Sequence, residues 1–509
     1  MSEKKVFAVH AACLRGVEAF PVTVEVSMTA GIPGITVVGK ADPTVLEARS
    51  RIRCALRSCG FEVPRKSITV NLAPGDVRKT GSGLDLPIAI AILVLTGQIP
   101  DKGIDSCLFI GELALDGSVL PVKGEVAYQI LARESNLSLV GGASGERVVL
   151  GGARRLDIES LASLKVGVEE GCRPHRAEHD GDEDARDVIL DYGDVVGQEV
   201  AKRAMVIAAT GQHGLLMVGT PGAGKTMLAQ RMCGILPPID ETELQQALCI
   251  HSVAGEPIDG LLRGKRPFRN PHHSVSAAGL MGGGRPVTPG EASLAHGGVL
   301  YLEEMGEWST HVLQMLRQPI EEGIVRIVRV DGAYVFPARF QLLAASNPCP
   351  CGYLGDPEVE CRCAPTAVER YQSKLSGPLA DRIDISIDVM RPAPELIVQG
   401  AQGLTTVEMR ASVEAGRAFR EERQVRARRR SEDGDSSSAE SAIRDLCLDA
   451  AGEQALLTYA KRNALTARGI VRLGRVARTV ADLDQSELVT APHVLEAAMF
   501  QGRGIDANV

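Results

Sequence analysis

The feature that most constrains this chain is a phosphate-loop sequence, G-x-x-x-x-G-K-T, at residues 219–226. The apolar run 215–218 predicts a buried strand before it, and residues 227–232 are helix formers, so the loop has the strand–loop–helix context that it requires. Glycines let backbone N–H groups turn toward a phosphate, and the helix N-terminus adds partial positive charge. The predicted ATP-binding residues are Gly219, Thr220, Pro221, Gly222, Ala223, Gly224, Lys225 and Thr226.

Length and composition set the class of protein. A chain of 509 residues is too long for one core and predicts about three domains. Its net charge of −8 argues against a surface coated in positive charge but permits a local basic channel. The longest apolar run, residues 86–95, is too short to span a bilayer, and no secretory signal pattern is visible. Twelve cysteines in such a chain predict a reducing, cytoplasmic location and thiols or metal ligands rather than disulfides.

A second nucleotide motif is predicted at residues 298–304, where an apolar strand ends in two carboxylates. In this Walker B pattern the first carboxylate, Glu303, positions Mg²⁺ together with Thr226, and the second, Glu304, polarises the attacking water. Most such motors have Asp-Glu; the extra methylene of Glu303 shifts its carboxylate by about 1.5 Å, which puts the hydrolysis rate in more doubt than nucleotide binding. The alternative is a buried strand with a polar end.

Two further segments resemble parts of AAA+ ATPases. Residues 340–348 form a predicted strand that ends in Asn347, which resembles the sensor 1 residue that orients water at the γ-phosphate. Residues 376–384 resemble the segment that carries the arginine finger, which would be Arg382. Such a finger acts on the ATP of the neighbouring subunit, so the resemblance implies a ring. The alternative for Arg382 taken alone is a surface salt bridge, but the surrounding motif favours the finger.

The first part of the chain resembles the proteolytic domain of Lon proteases. The resemblance is carried by residues 79–87 and 111–122, and it implies an α+β domain of the ribosomal S5 domain 2-like type. The nucleophilic Ser position falls on Gly83 and the activating Lys position on Val126. Because a serine without a placed base is not a nucleophile, a non-proteolytic domain is expected.

Four long segments resemble the magnesium-chelatase-like AAA+ family called YifB or ComM: residues 266–274, 280–285, 289–296 and 347–353. The resemblance covers nearly the whole chain and implies an α/β fold, with an AAA+ P-loop ATPase core, the Lon-like domain in front and a helical lid behind. It implies a homohexameric DNA motor that binds ATP and Mg²⁺, a helicase or branch-migration enzyme acting on single-stranded or branched DNA in recombination or natural transformation. The alternative is a chelatase-type remodelling subunit that acts on a protein partner in metal insertion.

The adjacent histidines 272 and 273 lie in the first of these segments. Neighbouring residues of a loop rarely chelate one ion, so a structural or intersubunit role is favoured over a metal site.

The predicted domains follow from these motifs and from composition. They are the Lon-like domain at 1–165, a polar and acidic linker at 166–187, the ATPase domain at 188–392 and the helical lid at 393–509.

The lid contains a basic helix, residues 465–479, that resembles the helix of the sensor 2 arginine. Arg468 and Arg475, about two turns apart on one face, are the candidates for contact with ATP. A solvated basic stripe is the alternative for each of them.

Four cysteines make a candidate zinc site. Cys349, Cys351, Cys361 and Cys363 form C-x-C, a nine-residue spacer and a second C-x-C. Four thiols in this order suit tetrahedral Zn²⁺, although C-x₂-C is the usual spacing. The alternative is four reduced cysteines in an ordered loop.

A β-hairpin is predicted at residues 324–337, with its turn at Asp331-Gly332. In ring helicases that the chain resembles, the corresponding hairpin points into the pore and carries a basic residue. Arg326 and Arg329 are the candidates for DNA contact, and they point to opposite sides because side chains alternate along a strand. Arg329 is favoured because it lies nearer the turn; the alternative is a hairpin that only packs on the neighbouring subunit.

Overall fold

The structure is a computed structural model. It describes residues 6–143, 149–175, 190–330, 332–375, 377, 379, 382–392, 394–399, 403–430 and 445–501. Residues 176–187 of the predicted linker, Asp331 of the predicted turn and four residues of the predicted arginine-finger segment (376, 378, 380 and 381) lie outside these ranges.

The N-terminal part is an α+β unit with two four-stranded sheets. The first sheet has the order β1-β2-β4-β3 and the second the order β10-β9-β8-β5. Alternation places Val22, Val24 and Val26 of β2 in the core, while α2 is apolar on all sides and buried along most of its length. The elements are β1 Val6–Arg15, β2 Glu18–Thr29, β3 Gly34–Val38, α1 Pro43–Ser58, β4 Ser67–Ala73, α2 Asp85–Leu95, β5 Cys107–Phe109, β6 Glu112–Leu113, β7 Val119–Leu120, α3 Glu125–Glu134, β8 Ser138–Gly141, β9 Arg154–Asp157, α4 Val168–Gly171 and β10 Arg173–Pro174.

The structure places regular elements after residue 166, where the linker is predicted to begin. Helix α4 follows at once, and β10 pairs antiparallel with β9 at the edge of the second sheet. Val168 and Cys172 are buried in the N-terminal core. These two apolar side chains outweigh the polar composition around them, so the N-terminal unit extends to about residue 175.

Ser82 and Lys123, the serine and lysine in or beside the two Lon-like segments, do not form a Ser–Lys pair. The Ser82 hydroxyl donates to the Glu112 carboxylate. Lys123 Nζ instead lies 3.5 Å from the backbone oxygen of Ala254 in the next domain.

The central part is an α/β unit built on a parallel sheet of order β12-β15-β18-β11-β19. Strands β11, β15 and β18 are buried at every position, which explains why their sequences are apolar runs rather than alternating ones. The elements are α5 Glu199–Gly211, β11 Leu215–Val218, α6 Lys225–Gln230, α7 Met232–Ile235, α8 Glu241–Ala254, α9 Asp259–Leu262, β12 Phe268–Arg269, α10 Ala277–Met281, β13 Gly282–Gly283, β14 Thr288–Pro289, α11 Glu291–Leu294, β15 Val299–Leu302, α12 Thr310–Met315, α13 Arg317–Glu322, β16 Ile324–Arg329, β17 Gly332–Pro337, β18 Gln341–Ser346, α14 Pro365–Leu375 and β19 Ile385–Asp388.

The C-terminal part is helical in the residues described. Helix α18 (Ala467–Leu483) is strongly amphipathic. Its apolar face, including Leu473 and Val476, joins the core around α5 of the central unit, which corresponds to the predicted ATPase domain and is called the ATPase-type unit below. None of the described helices is long and apolar enough to cross a membrane. The elements are α15 Pro394–Gln399, α16 Thr406–Arg430, α17 Ala450–Arg462, α18 Ala467–Leu483 and α19 Ala491–Met499.

Candidate nucleotide-binding site

The phosphate loop leaves the carboxyl end of β11, which lies between β18 and the edge strand β19 of the parallel sheet. Gly222 and Gly224 have φ values of 81° and 91°, the left-handed region that glycine tolerates. A Cβ on either of them would meet nothing within 4 Å, so the inside of the loop is open for a phosphate. Gly219 is required for a different reason, since a Cβ there would lie 2.2 Å from the backbone oxygen of Val389.

Lys225 begins helix α6 and folds back over the loop. Its Nζ donates to the backbone oxygens of Gly219 at 2.5 Å and Thr220 at 3.0 Å, and to Oδ1 of Asn347 at 3.3 Å. Burial lowers the pKa of Lys225 to about 8, against the opposing charges of Glu303 and Glu304. The ammonium therefore occupies the centre of the loop, where phosphate oxygens could replace the carbonyl oxygens as its partners.

The two nucleotide motifs meet at Thr226 and Glu303. The Thr226 hydroxyl donates to Glu303 Oε1 at 2.5 Å, and Asn270 Nδ2 donates to Glu303 Oε2 at 3.2 Å. The indole N–H of buried Trp308 donates to the Glu303 backbone oxygen at 2.9 Å and holds the end of strand β15. The longer side chain of Glu303 thus reaches Thr226 directly, and their hydroxyl and carboxylate oxygens are the hard ligands that Mg²⁺ prefers.

Glu304 projects from a strained backbone position. Its φ is 51°, unusual for a residue with a side chain, and its side chain is 51% exposed. Oε2 of Glu304 lies 3.4 Å from Nδ1 of His273, whose ring packs at 4.0 Å between centroids on His272. His272 Nδ1 in turn bonds Ser274 Oγ at 2.7 Å.

The sequence did not identify Asn270 or His273 as neighbours of the two carboxylates. Both lie in the loop after β12, the strand beside β15, so the order of strands in the sheet brings them there. The sequence shows that both residues belong to the segment 266–274, which resembles the family, but it does not show the order of the strands.

Asn347 follows β18, which lies between β15 and β11. The carboxyl ends of these three parallel strands therefore bring Lys225, Glu304 and Asn347 to one edge of the sheet. The structure therefore brings together these residues, which the sequence predicted separately.

The three arginines predicted to contact ATP do not lie at this carboxyl-end edge of the sheet. They are Arg382, Arg468 and Arg475. Arg382 lies beside Gly214 at the amino end of β11, since a Cβ on Gly214 would be 2.5 Å from the Arg382 backbone oxygen. Burial, and then the charges of Arg317 and Arg468, lower the pKa of Arg382, which places Arg468 nearby. β11 has four residues, so its two ends are roughly 10 Å apart. Within one chain, Arg382 and Arg468 thus face away from the phosphate loop.

Arg475 is at the same far edge. Burial works against the ionisation of Asp384, but the hydrogen bond from His213 and the charges of His213, Arg475 and Arg472 hold the pKa of Asp384 below its usual value. His213 Nδ1 lies 2.8 Å from Asp384, and its Nε2 lies 2.8 Å from Thr479 of α18. This buried chain of contacts fixes the arginine-bearing helix to the sheet.

A cleft of about 1100 Å³ opens at this far edge, and Arg382 and Arg475 both line it. Arg382 forms an ion pair with Glu321, but its Nε is buried without a hydrogen-bond partner among the residues that the structure describes. A guanidinium N–H is a hydrogen-bond donor, so this group can donate to an anion that enters the cleft.

The four predicted zinc ligands do come together. All four Sγ atoms lie within 4.8 Å of one another, and the Sγ atoms of Cys349, Cys351 and Cys361 are 3.4–3.7 Å apart. The edge of a ZnS₄ tetrahedron with Zn–S of 2.3 Å is about 3.8 Å. Backbone N–H groups of Tyr353 and Arg362 lower the pKa of Cys351 to about 6, which favours the thiolate.

The cysteine loop, defined here as residues 349–363, also packs against the phosphate loop. A Cβ on Gly352 would lie 2.8 Å from the Pro221 ring, so the two loops are in close contact. Arg391 Nε donates to the Pro221 backbone oxygen at 3.2 Å, and Arg391 also pairs at 3.7 Å with Asp356 of the cysteine loop.

The predicted hairpin is present as β16 and β17, in a register that pairs Arg326 with Val335 and Arg329 with Gly332. The two arginines are on opposite faces, as the alternation predicts. However, Arg326 is on the exposed face with Val328, whereas Arg329 is half-buried. The preference for Arg329 as the main DNA contact was based on its distance from the turn and did not include this difference in exposure.

Three family models match the chain in succession. Residues 24–140 match the model described as subunit ChlI of Mg-chelatase, and residues 191–396 match magnesium chelatase, subunit ChlI. Residues 403–501 match the C-terminal part of the same subunit.

Individual relatives extend over the full length. YifB of Escherichia coli (strain K12) is 39% identical over 98% of this chain and 97% of that protein. Competence protein ComM of Haemophilus influenzae is 37% identical over 97% of both. The magnesium-chelatase 38 kDa subunit of Rhodobacter capsulatus is 24% identical over 40% of this chain and 57% of that subunit. The similarity to YifB and ComM is thus both higher and longer than that to the chelatase subunit.

Proposed function

This chain belongs to the magnesium-chelatase-like family that contains YifB and ComM, and on that premise we propose that it is an ATP-hydrolysing motor that forms a ring and acts on DNA. The observation that carries the proposal is the separation of the site into two halves. Lys225, Thr226 and the two carboxylates lie at one edge of the parallel sheet, and the arginines lie at the opposite edge.

The first half binds and activates ATP. The loop amides and Lys225 hold the phosphates, and Thr226 and Glu303 would hold Mg²⁺, which neutralises phosphate charge when bound. Glu304 accepts the proton of the attacking water or orients that water, and Asn347 restricts its position. The exposed position of Glu304 leaves room for water beside its carboxylate.

The second half of the site, which contains the three arginines, acts on the ATP of the neighbouring subunit. Arg382, Arg468 and Arg475 face away from their own phosphate loop, so contact with ATP requires a second chain. A ring in which the far edge of each subunit faces the next phosphate loop provides that contact, and a homohexamer is the ring that we propose. Arg382 then stabilises charge on the transferred phosphate. Arg468 and Arg475 bind the nucleotide.

DNA is the proposed partner, through the β16–β17 hairpin. A basic residue on an exposed hairpin suits the phosphate backbone, which carries affinity without sequence information. The relative from Haemophilus influenzae is named a competence protein, which supports helicase or branch-migration work on single-stranded or branched DNA in the cytoplasm. The N-terminal unit is proposed to be a Lon-like domain without protease activity.

Zn²⁺ is proposed as a structural ion held by Cys349, Cys351, Cys361 and Cys363. The sulfur spacing fits a closed tetrahedral site, and no open ligand position is needed for chemistry. The ion would fix the cysteine loop against Pro221 and so support the phosphate loop.

A chelatase-type remodelling subunit is the second candidate, because the three matching family models are described by subunit ChlI. In that case the ring acts on a protein partner and DNA has no effect on its ATPase.

The two candidates are separated by measuring ATP hydrolysis by the full chain alone, with single-stranded DNA and with branched DNA. A DNA motor should hydrolyse ATP several-fold faster with at least one DNA, and Arg382→Ala should abolish the stimulated rate. A robust ATPase that no DNA stimulates would contradict the motor and favour the chelatase-type candidate. No ATPase under any of these conditions would contradict both.

A further inference from the structure

The tip of the hairpin lies against the N-terminal domain. Arg15 ends β1, and a Cβ placed on Gly332, directly after the hairpin turn, would lie 2.5 Å from Arg15 Nη2. A Cβ on Gly16 would lie 3.0 Å from the backbone oxygen of Val335 in β17. The turn between β1 and β2 is therefore packed on the hairpin along two points of contact.

A third element reaches the same place. The glycine loop, defined here as residues 282–285, follows α10. A Cβ on Gly283 would lie 3.6 Å from Arg329 Nη2, and one on Gly282 would lie 3.3 Å from Ile327 Cδ1. The loop ends in exposed Arg285. Three segments far apart in the sequence thus meet in the region of Arg15 and Arg329, and Arg285 is two residues from Gly283 of the third segment.

The N-terminal domain is held there by a packed interface. Val17 and Val126 share one buried apolar cluster with Ile250 of helix α8 in the ATPase-type unit. The Gly124 N–H donates to the Ser252 backbone oxygen at 3.1 Å across the same interface. Because several buried contacts fix the two units together, Arg15 is held near the hairpin rather than carried on a loose domain.

The region is basic in a chain that is acidic overall. Arg15, Arg285 and Arg326 are exposed and Arg329 is half-buried. Across the described residues, none of these four guanidinium groups is paired with a carboxylate within 4.0 Å. Glu18 stands opposite Arg15 in the strand register, so positive charge is in excess among these described residues. Arginine is the side chain best suited to phosphate oxygens.

We propose that Arg15 binds the phosphate backbone of DNA together with the hairpin, so that the N-terminal domain is a fixed DNA-binding collar beside the hairpin. This inference rests on the proposed DNA motor, because the hairpin must face the DNA path. It gives the Lon-like domain a function that does not need a protease site.

The test compares Arg15→Gln with Arg53→Gln, which removes an exposed arginine on helix α1 of the same domain. Fluorescence anisotropy measures binding of a single-stranded oligonucleotide to the full chain at several salt concentrations. Arg15→Gln should weaken binding several-fold and reduce the salt slope by about 0.7, the value for one lost phosphate contact. Arg15→Lys should keep most of the affinity, and Arg53→Gln should match the wild type. Thermal unfolding at the wild-type temperature confirms that each variant is folded.

The outcomes separate this inference from the proposed function. If Arg326→Ala weakens binding but Arg15→Gln has wild-type affinity and slope, Arg15 is not a DNA contact and the motor stands. If Arg53→Gln weakens binding as much as Arg15→Gln, the effect is one of net charge and the collar is refuted. If the wild type binds no DNA, the motor and the collar fail together.

Discussion

The Thr226 hydroxyl donates a 2.5 Å hydrogen bond to Oε1 of Glu303, 77 residues further along the chain. This bond joins the phosphate loop to the strand that carries both carboxylates. The longer side chain of Glu303 still brings its carboxylate to the hydroxyl. The two oxygens lie side by side at the position where a magnesium-binding pair is needed.

Lys225 and Glu304 should have separable roles. Lys225→Ala should weaken ATP binding by roughly tenfold or more, because a charge-assisted contact to phosphate is lost. Glu304→Gln should bind ATP as the wild type does and lose roughly 100-fold in turnover, because the amide cannot act as a base. Titration with a fluorescent ATP analogue and a steady-state ATPase assay measure the two effects. Near-normal turnover in Glu304→Gln would rule out the Walker B assignment.

His273 should position the Glu304 carboxylate. His273→Ala is expected to reduce kcat by roughly fivefold, the equivalent of about 1 kcal/mol for the lost 3.4 Å contact with Glu304, with little change in ATP affinity. His272→Ala is the matched control, since His272 bonds Ser274 and not Glu304. Steady-state kinetics at saturating ATP measure kcat. An equal loss in both variants would mean that the loop as a whole matters and that the His273–Glu304 contact does not.

The cysteine cluster should bind about one Zn²⁺ per chain. Elemental analysis of purified protein should show this content in the wild type and in Cys54→Ser, an exposed cysteine outside the cluster. Cys361→Ser should lose most of the metal, because a structural site needs all four ligands. Its ATP affinity should also fall, since the cysteine loop packs on Pro221. Sub-stoichiometric zinc that does not change in Cys361→Ser would instead indicate four plain thiols.

His296 should make the ATPase-type unit sensitive to mild acid. Its Nδ1 accepts a 3.1 Å hydrogen bond from the Arg339 N–H, which requires the neutral ring, and burial lowers its pKa from 6.5 to about 4. Above pH 6.5 the ring is neutral in both states. As the pH falls from 6.5 toward 4, the unfolded state takes up the proton first, so the free energy of unfolding decreases, by about 2 kcal/mol at pH 5.

Urea unfolding at pH 7 and pH 5 measures this loss. His296→Gln keeps an acceptor for the Arg339 N–H but cannot titrate, so its stability should fall less between the two pH values than that of the wild type. The same pH dependence in both proteins would exclude His296 as the cause.

The sequence by itself determined the chemistry of the first half of the site. The phosphate loop and the carboxylates after β15 are short motifs in which neighbouring residues fix the local backbone, so their structure follows from a few adjacent positions. The strands before the loop, before the carboxylates and before Asn347 were also predicted, because strands buried on both faces are apolar throughout. The four cysteines were predicted as one cluster from spacing alone, and their sulfur atoms are together.

Only the tertiary structure decided which edge of the sheet each arginine occupies, which loop residues touch Glu303 and Glu304, and which face of the hairpin is exposed. It also decided that β10 extends the N-terminal unit and that Arg15 lies at the hairpin. The physical reason is the same in each case. These positions depend on strand order and on packing between residues that are often a hundred or more positions apart, and local sequence patterns do not specify such contacts.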